Sequence, residues 1–160
     1  MARKSKYGQP SAKLSTALWK PALYVRLSRE DGDREESNSI ASQRELLTEF
    51  TNAQTDMAAP RLYTDDGYTG TDFDRPDFQR MLGDLRAGLV NCVIVKDLSR
   101  FGRNYVGVGE YLEHVFPLLN VRFISVSDNV DSFVDPRSVN NLVVPFKNII
   151  NDEYCRDISN

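Results

Sequence analysis

The sequence has few cysteines, a single histidine and no long apolar run. Its 160 residues include two cysteines, Cys92 and Cys155, and one histidine, His114. Two cysteines cannot form a disulfide framework, and neither lies in a cluster with the spacing of zinc ligands. No apolar run approaches the roughly 20 residues of a membrane helix, and the basic start of the chain lacks the apolar segment of a secretory signal. These features predict a cytoplasmic protein with no zinc site and no membrane association.

Acidic residues outnumber basic ones, which argues against non-specific nucleic-acid binding by the whole surface. The formal net charge is −3, and five basic residues with no acidic residue fall within residues 1–20, so the remainder carries −8. A body with this charge binds the DNA backbone poorly unless a few arginines are placed locally. Fourteen of the 20 basic residues are arginine, whose planar guanidinium suits phosphate oxygens better than the point charge of lysine.

Short apolar segments alternate with amphipathic ones along the chain. Four strands are predicted, at residues 23–27, 61–64, 92–95 and 121–126. Helices are predicted at residues 40–53, from Pro76 to a stop at Gly88, at 105–119 and at 138–158, the last with a kink at Pro145. Four strand–helix alternations predict an α/β fold, with a mainly parallel central sheet of four to five strands and helices on both faces. Residues 127–136 are predicted to form a polar loop.

This pattern predicts a tail and one folded domain. Residues 1–20 are polar and are predicted to be a flexible basic tail, and residues 21–160 are predicted to form one domain. The last helical pattern has no stop before Asn160, so we expect a long helix cut short and further sequence beyond it.

Apolar spacing also predicts which helical residues face the core. Each helix has one such stripe, and the first contains an unexpected glutamine. The stripes are Ile40, Gln43, Leu47 and Phe50 in the first helix; Phe78, Met81, Leu82 and Leu85 in the second; and Tyr105, Val108, Leu112, Val115 and Leu119 in the third.

Hydroxyl and arginine side chains follow the predicted strands where each one ends. Sites in open α/β sheets form beyond these carboxyl ends, so we expect the following residues to converge: Arg26 and Ser28; Arg75; Ser99, Arg100 and Arg103. A serine nucleophile for acyl transfer needs a base, and His114 lies mid-helix, far from the strand ends. Phosphoryl transfer fits better, because its transition state is stabilised mainly by positive charge around the phosphoryl oxygens.

A magnesium site is the metal-dependent alternative. Five aspartates could contribute ligands, namely Asp65, Asp66, Asp72, Asp74 and Asp97. Aspartates in turns more often accept hydrogen bonds from their own backbone. We therefore expect neither a metal nor an organic cofactor.

Several motifs together resemble one enzyme family. They are YVRLS at 24–28, Ser39–Ile40 with Gln43, DGYTG at 66–70, Arg75–Pro76, and DLSRFGR at 97–103. In this order and spacing they resemble the N-terminal catalytic domain of serine site-specific recombinases, from residue 22 onward. The DDGYTG, RPDFQRML and DLSRFGRNY segments are more similar to the large serine recombinases, which are phage integrases and mobile-element transposases, than to the small resolvases.

The resemblance implies a role for each matching residue. Ser28 stands at the position of the nucleophile that forms a 5′-phosphoserine link to DNA and frees a 3′-hydroxyl. Arg26, Arg100 and Arg103 match arginines that hold the phosphate, Arg75 matches the arginine after the second strand, and Gln43 matches a glutamine near the nucleophile. Ser99 stands where the small resolvases carry an aspartate, which leaves open the group that protonates the leaving 3′-oxygen. Neither metal nor ATP is implied.

The family also implies partners. The chain would act on DNA mainly through a region beyond Asn160, as a homodimer that pairs into a synaptic tetramer.

Two non-catalytic alternatives remain. A flavodoxin-like or receiver-like module would use the same strand ends to hold a phosphate or a partner. A receiver needs an acidic pair after the first strand, where this chain has Arg26 and Ser28, and no GxGxxG segment of a dinucleotide-binding domain is present. An inactive dimerisation domain is the other alternative.

Overall fold

A five-stranded sheet forms the centre of the domain in a computed structural model that describes residues 17–28, 39–69 and 72–144. The strands are β1 (Pro21–Leu27), β2 (Arg61–Asp66), β3 (Cys92–Val95), β4 (Arg122–Ser125) and β5 (Val130–Asp131). Their order is β2-β1-β3-β4-β5, and only β5 runs antiparallel to its neighbour. The predicted mainly parallel α/β fold is confirmed. The charged segment from Arg29, most of the predicted N-terminal tail, Cys155 and the part of the last predicted helix after residue 144 lie outside the described residues.

Helices cover both faces of this sheet. They are α1 (Ile40–Asn52), α2 (Pro76–Arg86), the short α3 (Leu98–Phe101), α4 (residues 105–118) and α5 (residues 136–144). Helix α1 lies on one face of the sheet, where Leu47 belongs to a buried cluster with Leu23, Val25 and Ile94. The other helices pack on the opposite face around a core rich in aromatic rings. None of the helices in the described part of the chain is long and apolar enough to span a bilayer.

The predicted core stripe of α2 is confirmed residue by residue. Its buried residues are Phe78, Met81, Leu82 and Leu85. Pro76 occupies the first turn, and Gly88 follows the helix end. Ser39 caps α1 by accepting a hydrogen bond from the N–H of Ser42 (3.1 Å), as its side-chain type predicts.

The predicted core stripe of α4 is wrong at Tyr105, which is exposed, and it omits Phe116, which is fully buried. The other four residues of the stripe are buried or pack against the core. A π-helical turn spans Tyr111–Val115, in which the N–H of Phe116 donates to the carbonyl of Tyr111 five residues earlier. The extra residue in this turn shifts the helical period, so that Phe116 joins the buried face. Pro117 follows this wide turn and has no N–H to donate to the preceding turn.

The polar loop predicted at residues 127–136 is wrong at Val130 and Asp131. These residues form β5, with Val130 buried and paired to Ser125 of β4. The turn is possible because Asn129 adopts a positive φ of 54°, a conformation that asparagine tolerates. Asp131 is held by two hydrogen bonds from Arg122, at 2.9 and 2.6 Å.

The domain begins earlier than the predicted boundary at residue 21. Trp19 forms a parallel bridge with Met57, and its N–H donates to the carbonyl of Asp56 (2.9 Å). The N–H of Lys20 donates to Oδ1 of Asn91 (2.7 Å). Both residues therefore belong to the folded domain, and the sequence did not reveal this because their backbone partners are distant in the chain.

Candidate active site

The carboxyl ends of β1, β2 and β3 bring the predicted site residues to one edge of the sheet. Arg26 is near the end of β1 and Ser28 directly follows it, whereas Ser99 and Arg100 lie in α3, just beyond β3. Ser28 is buried, with 4% of its surface exposed. Because β1 lies between β2 and β3, loops from both neighbours close over the end of β1.

Arg26 is the centre of this arrangement and is completely buried. Its guanidinium donates three hydrogen bonds to backbone carbonyls. The acceptors are the oxygens of Arg100 (3.2 Å from Nε), Tyr68 (3.1 Å from Nη1) and Ser99 (2.5 Å from Nη2). One side chain from β1 therefore ties together the loop after β2 and the segment after β3.

Gln43 explains the polar position in the core stripe of α1. It is fully buried, its Nε2 donates to the carbonyl of Arg26 (2.9 Å), and its Oε1 accepts the N–H of Arg26 (3.3 Å). Strand β1 pairs with β3 only as far as Leu23 and Ile94. Beyond the last pair with β3, the amide of Gln43 therefore takes the place of a strand partner for β1. It satisfies backbone groups that would be costly to bury unpaired.

Arg100 binds the same carbonyl group of Arg26 as Gln43 does. Its Nη1 donates to the carbonyl of Arg26 (3.0 Å), and its Nε donates to Oγ of Ser99 (3.3 Å). Arg100 is only 3% exposed. Two of the predicted arginines, the predicted glutamine and Ser99 are therefore joined in one hydrogen-bonded group.

Arg75 occupies a second, deeper layer of the site. It is fully buried, and it donates to the carbonyls of Asp72 (3.0 Å) and Phe101 (2.8 Å) and to the hydroxyl of Tyr24 (2.8 Å). Its guanidinium carbon lies 4.8 Å from the centre of the Phe78 ring. Arg75 is thus held between the loop that precedes α2 and the end of α3, with no salt bridge to a surface carboxylate in the described structure.

Tyr24 and Asp65 were not predicted as site residues, yet they anchor this layer. The Tyr24 hydroxyl donates to Oδ2 of Asp65 (2.7 Å), and the Asp65 carboxylate also accepts the N–H groups of Asp77 and Phe78 at the start of α2, both at 3.0 Å. Burial, with the neighbouring carboxylate, raises the pKa of Tyr24 far above its ordinary value of 10.0, despite the opposing charge of Arg75. The sequence signal for this layer was an aspartate, Asp65, two residues after Tyr63 in β2. Residues two apart in a strand share a face, and both of these side chains are buried.

Four guanidinium groups act on one another at this edge of the sheet. Burial, followed by the charges of Arg100, Arg75 and Arg103 in that order, lowers the pKa of Arg26 from its ordinary 12.5 to about 10. Arg26 therefore stays protonated at neutral pH, and its positive charge adds to those of the other three arginines. A dense positive charge beside a serine hydroxyl is suited to an anion such as a phosphodiester.

Three of the five aspartates considered as metal ligands accept hydrogen bonds from backbone N–H groups or from protein side chains. Asp65 binds α2 and Tyr24, as described above, Asp72 accepts the N–H of Asp74 (3.2 Å), and Asp97 caps α3. Among the residues that the structure describes, no three histidine, cysteine or acidic side chains are grouped as metal ligands would be. His114 lies on the exposed part of α4 and pairs with Glu110.

Comparison with known proteins agrees with this geometry. A family model described as "Resolvase, N terminal domain" matches residues 22–160. The N-terminal catalytic domain of TP901-1 integrase is similar, with a TM-score of 0.69 and 25% identity over 88% of this chain and 99% of that one. A resolvase family site-specific recombinase from Streptococcus pneumoniae has a TM-score of 0.67 and 26% identity over 88% of this chain and 94% of that one.

A third structure, the catalytic domain of the IS607-like serine recombinase ISC1926 TnpA, shares the fold, with a TM-score of 0.54 at 22% identity over 68% of each chain. No curated protein sequence matches the chain. These matches do not favour the flavodoxin-like or receiver-like alternative. The chain belongs to the resolvase N-terminal domain family, and it is a catalytic domain of the serine site-specific recombinases.

Proposed function

We propose that this domain cuts and rejoins DNA strands through a covalent bond to Ser28. The Ser28 Oγ attacks a DNA phosphorus atom and loses its proton, an Oγ–P bond forms, and the bond from phosphorus to the 3′-oxygen breaks. The 3′-oxygen takes up a proton and leaves as a hydroxyl, while the 5′-phosphate stays on Ser28. Rejoining is the reverse reaction with a new 3′-hydroxyl, so one phosphodiester replaces another and ATP is not required.

The buried guanidinium group around Arg26 is the observation that carries this proposal. In phosphoryl transfer, negative charge on the phosphoryl oxygens dominates the transition state. Preorganised positive charge in a water-poor site stabilises such a state strongly. Arg26, Arg100 and Arg103 would face the phosphate, and Arg75 would add charge from the deeper layer. These four arginines supply charge of the kind that metal ions supply in other phosphoryl-transfer enzymes, and we expect the reaction to proceed without metal.

The partners proposed for this domain are DNA and further copies of itself. The acidic excess outside residues 1–20 fits a domain that depends on another region for most of its DNA affinity. We propose a homodimer that binds one site and pairs with a second dimer into a synaptic tetramer, in which strands are exchanged before rejoining. The reaction would take place in the cytoplasm.

The test is to trap the covalent intermediate with the complete recombinase and its cognate DNA. The DNA carries a nick placed so that the cut product escapes, metals are removed with EDTA, and the reaction is denatured and run on a gel. We expect protein attached to a 5′ DNA end in the wild type and in Ser127→Ala, an exposed serine, but not in Ser28→Ala. An adduct that persists in Ser28→Ala contradicts the proposal, as does a wild type that binds and assembles on DNA without forming one.

A further inference from the structure

A chain of three polar side chains follows β3. Oδ1 of Asp97 accepts hydrogen bonds from the hydroxyl of Ser99 (2.5 Å) and from the backbone N–H of Arg100 (3.2 Å). Oγ of Ser99 in turn accepts a hydrogen bond from Nε of Arg100 (3.3 Å), and Nη1 of Arg100 reaches the carbonyl of Arg26 (3.0 Å). Asp97 is therefore connected through Ser99 to the centre of the site.

The direction of the Ser99 hydroxyl is fixed by its two neighbours. Nε of arginine can only donate a hydrogen bond, so Ser99 Oγ must present a lone pair to Arg100. The one hydroxyl proton is then directed to Asp97. A hydroxyl that donates to a charged carboxylate makes a stronger hydrogen bond than one that donates to a neutral acceptor.

The orientation of Arg100 depends on this serine. Its side chain is almost fully buried, it repels the charge of Arg26, and the carboxylate of Asp97 lies 3.9 Å from its Nε. A long side chain crowded by like charges keeps one rotamer only if its donors have fixed acceptors. If the Ser99 hydroxyl rotated its proton toward Nε, that acceptor would be lost.

We propose that Asp97 is a positioning residue for strand cleavage. Its carboxylate orients the Ser99 hydroxyl, and through it holds the Arg100 guanidinium in the place where it meets the DNA phosphate. This role rests on the function proposed above. It deepens that function by assigning a part to a carboxylate that does not itself touch the DNA.

A purely structural role for Asp97 is the competing explanation, because Asp97 is also the N-cap of α3. Asparagine caps helices as well as aspartate does, so Asp97→Asn keeps the cap and removes the charge. The amide is a weaker acceptor, and it can also turn its NH₂ toward Ser99 Oγ and disturb the bond from Arg100. A cap role predicts wild-type cleavage in Asp97→Asn, whereas the positioning role predicts impaired cleavage without loss of stability.

The first experiment measures the rate of covalent adduct formation at saturating DNA. We expect Asp97→Asn and Ser99→Ala each to lower this rate by about tenfold or more, as exchange of a charge-assisted for a neutral hydrogen bond implies. The double variant should be no slower than Ser99→Ala, because Asp97 acts through Ser99.

Asn104→Ala is the matched control, since Asn104 caps the next helix through the N–H of Gly107 (3.2 Å), and it should keep the wild-type rate. A wild-type rate of adduct formation in Asp97→Asn would overturn the proposal. So would a double variant whose rate is lowered by the product of the two single effects.

A second experiment needs no DNA and separates this proposal from the proposed function. Selective ¹⁵N spectra of the 160-residue chain follow the exchange of the Arg100 Nε–H proton with water. We expect this exchange to be slow in the wild type and in Asn104→Ala, and faster by about tenfold in Asp97→Asn and Ser99→Ala. Unchanged exchange in Asp97→Asn would overturn the positioning role. If the exchange rates change as expected but a DNA adduct still forms in Ser28→Ala, the error lies in the proposed function and not in the contacts of Asp97.

Discussion

Single side chains in this domain bridge segments that are distant in the sequence. Arg26 joins three carbonyls, one from the loop after β2 and two from α3, and Gln43 pairs with both peptide groups of Arg26. In each case the polar groups of a buried residue are matched by the backbone, which is the condition for burying them at all. The active-site geometry therefore depends on the shape of these side chains as well as on their charge.

Arg26→Lys tests the importance of the guanidinium shape. Lysine keeps the positive charge but cannot donate to three carbonyls in the fixed geometry of the guanidinium fork. We expect the free energy of unfolding to fall by about 2–4 kcal/mol, because hydrogen bonds to a charged group are lost and buried carbonyls are left unpaired. Urea denaturation measures this change, and covalent adduct formation should be lost as well. The matched control Arg44→Lys, on the exposed face of α1, should stay within about 0.5 kcal/mol of wild type, and equal stability of the two variants would contradict this role.

Between elements, the ring of Phe73 holds two active-site segments together. It lies in the loop before α2 and packs against Phe78, Phe101 and Tyr111, with ring centres 4.9–5.9 Å apart. A Cβ on Gly107, in the first turn of α4, would come within 2.5 Å of this ring. Glycine at this position thus allows the loop after β2 to close on the segment after β3.

Gly107→Ala tests this close approach. Alanine normally favours a helix, but here the added methyl group overlaps Phe73, so we expect a loss of about 1–3 kcal/mol in unfolding free energy. Gly83→Ala in α2 is the matched control, because a Cβ there meets no atom within 4 Å, and it should gain about 0.5–1 kcal/mol. Phe73→Leu should restore part of the stability lost in Gly107→Ala. If Gly107→Ala stabilises the domain as much as Gly83→Ala does, Phe73 does not restrict this position.

Across the whole molecule, the two ends of the sheet carry different arrangements of arginine. At the carboxyl ends of the strands, Arg26 and Arg75 donate to carbonyls and a hydroxyl, whereas at the opposite end Arg122 forms ion pairs with Asp131 (2.6 Å) and Asp56 (3.3 Å). Trp19 and Phe133 pack against the Arg122 guanidinium. The ion pairs of Arg122 stabilise β5, and the function proposed above places the DNA phosphate at the end with excess positive charge.

The Arg122–Asp131 pair makes stability depend on pH in acid. Burial by itself raises the pKa of Asp131, but hydrogen bonds from Arg122 and from the backbone of Val134 and Phe133 outweigh it and hold the pKa below the ordinary 3.8. Because the folded-state pKa is the lower one, this stabilisation is complete above the unfolded pKa and is lost as the pH falls through the folded value.

Asp131→Asn should therefore reduce stability at pH 7 and flatten the acid limb of the stability curve. Fluorescence of Trp19, the one tryptophan, reports unfolding in urea at each pH. Asp135→Asn is the matched control, since Asp135 lies on the same turn and bonds the N–H of Arg137 instead (3.2 Å). An acid limb equally steep in Asp131→Asn and wild type would show that this pair does not carry the pH dependence.

Local patterns predicted the order of strands and helices along the chain and the motifs at the strand ends, because these depend on neighbours in sequence. The regular spacing of Phe78 to Leu85 gave the buried face of α2 without error. Contacts between distant residues could not be predicted in this way: Asp131 with Arg122, Asp65 with Tyr24, and Trp19 with Met57 each need the fold to bring them together. The π-helical turn in α4 also escaped prediction, because it breaks the regular helical period on which the stripe depends.

Identification of the atom joined to DNA is the most direct test of the central claim. The trapped protein–DNA adduct is digested with nuclease and protease, and the peptide that retains a nucleotide is sequenced by mass spectrometry. We expect a 5′-linked nucleotide phosphate on Ser28, with the adduct formed equally well in EDTA. A nucleotide on Ser99 or on any other residue, or a link through a 3′-phosphate, would contradict it.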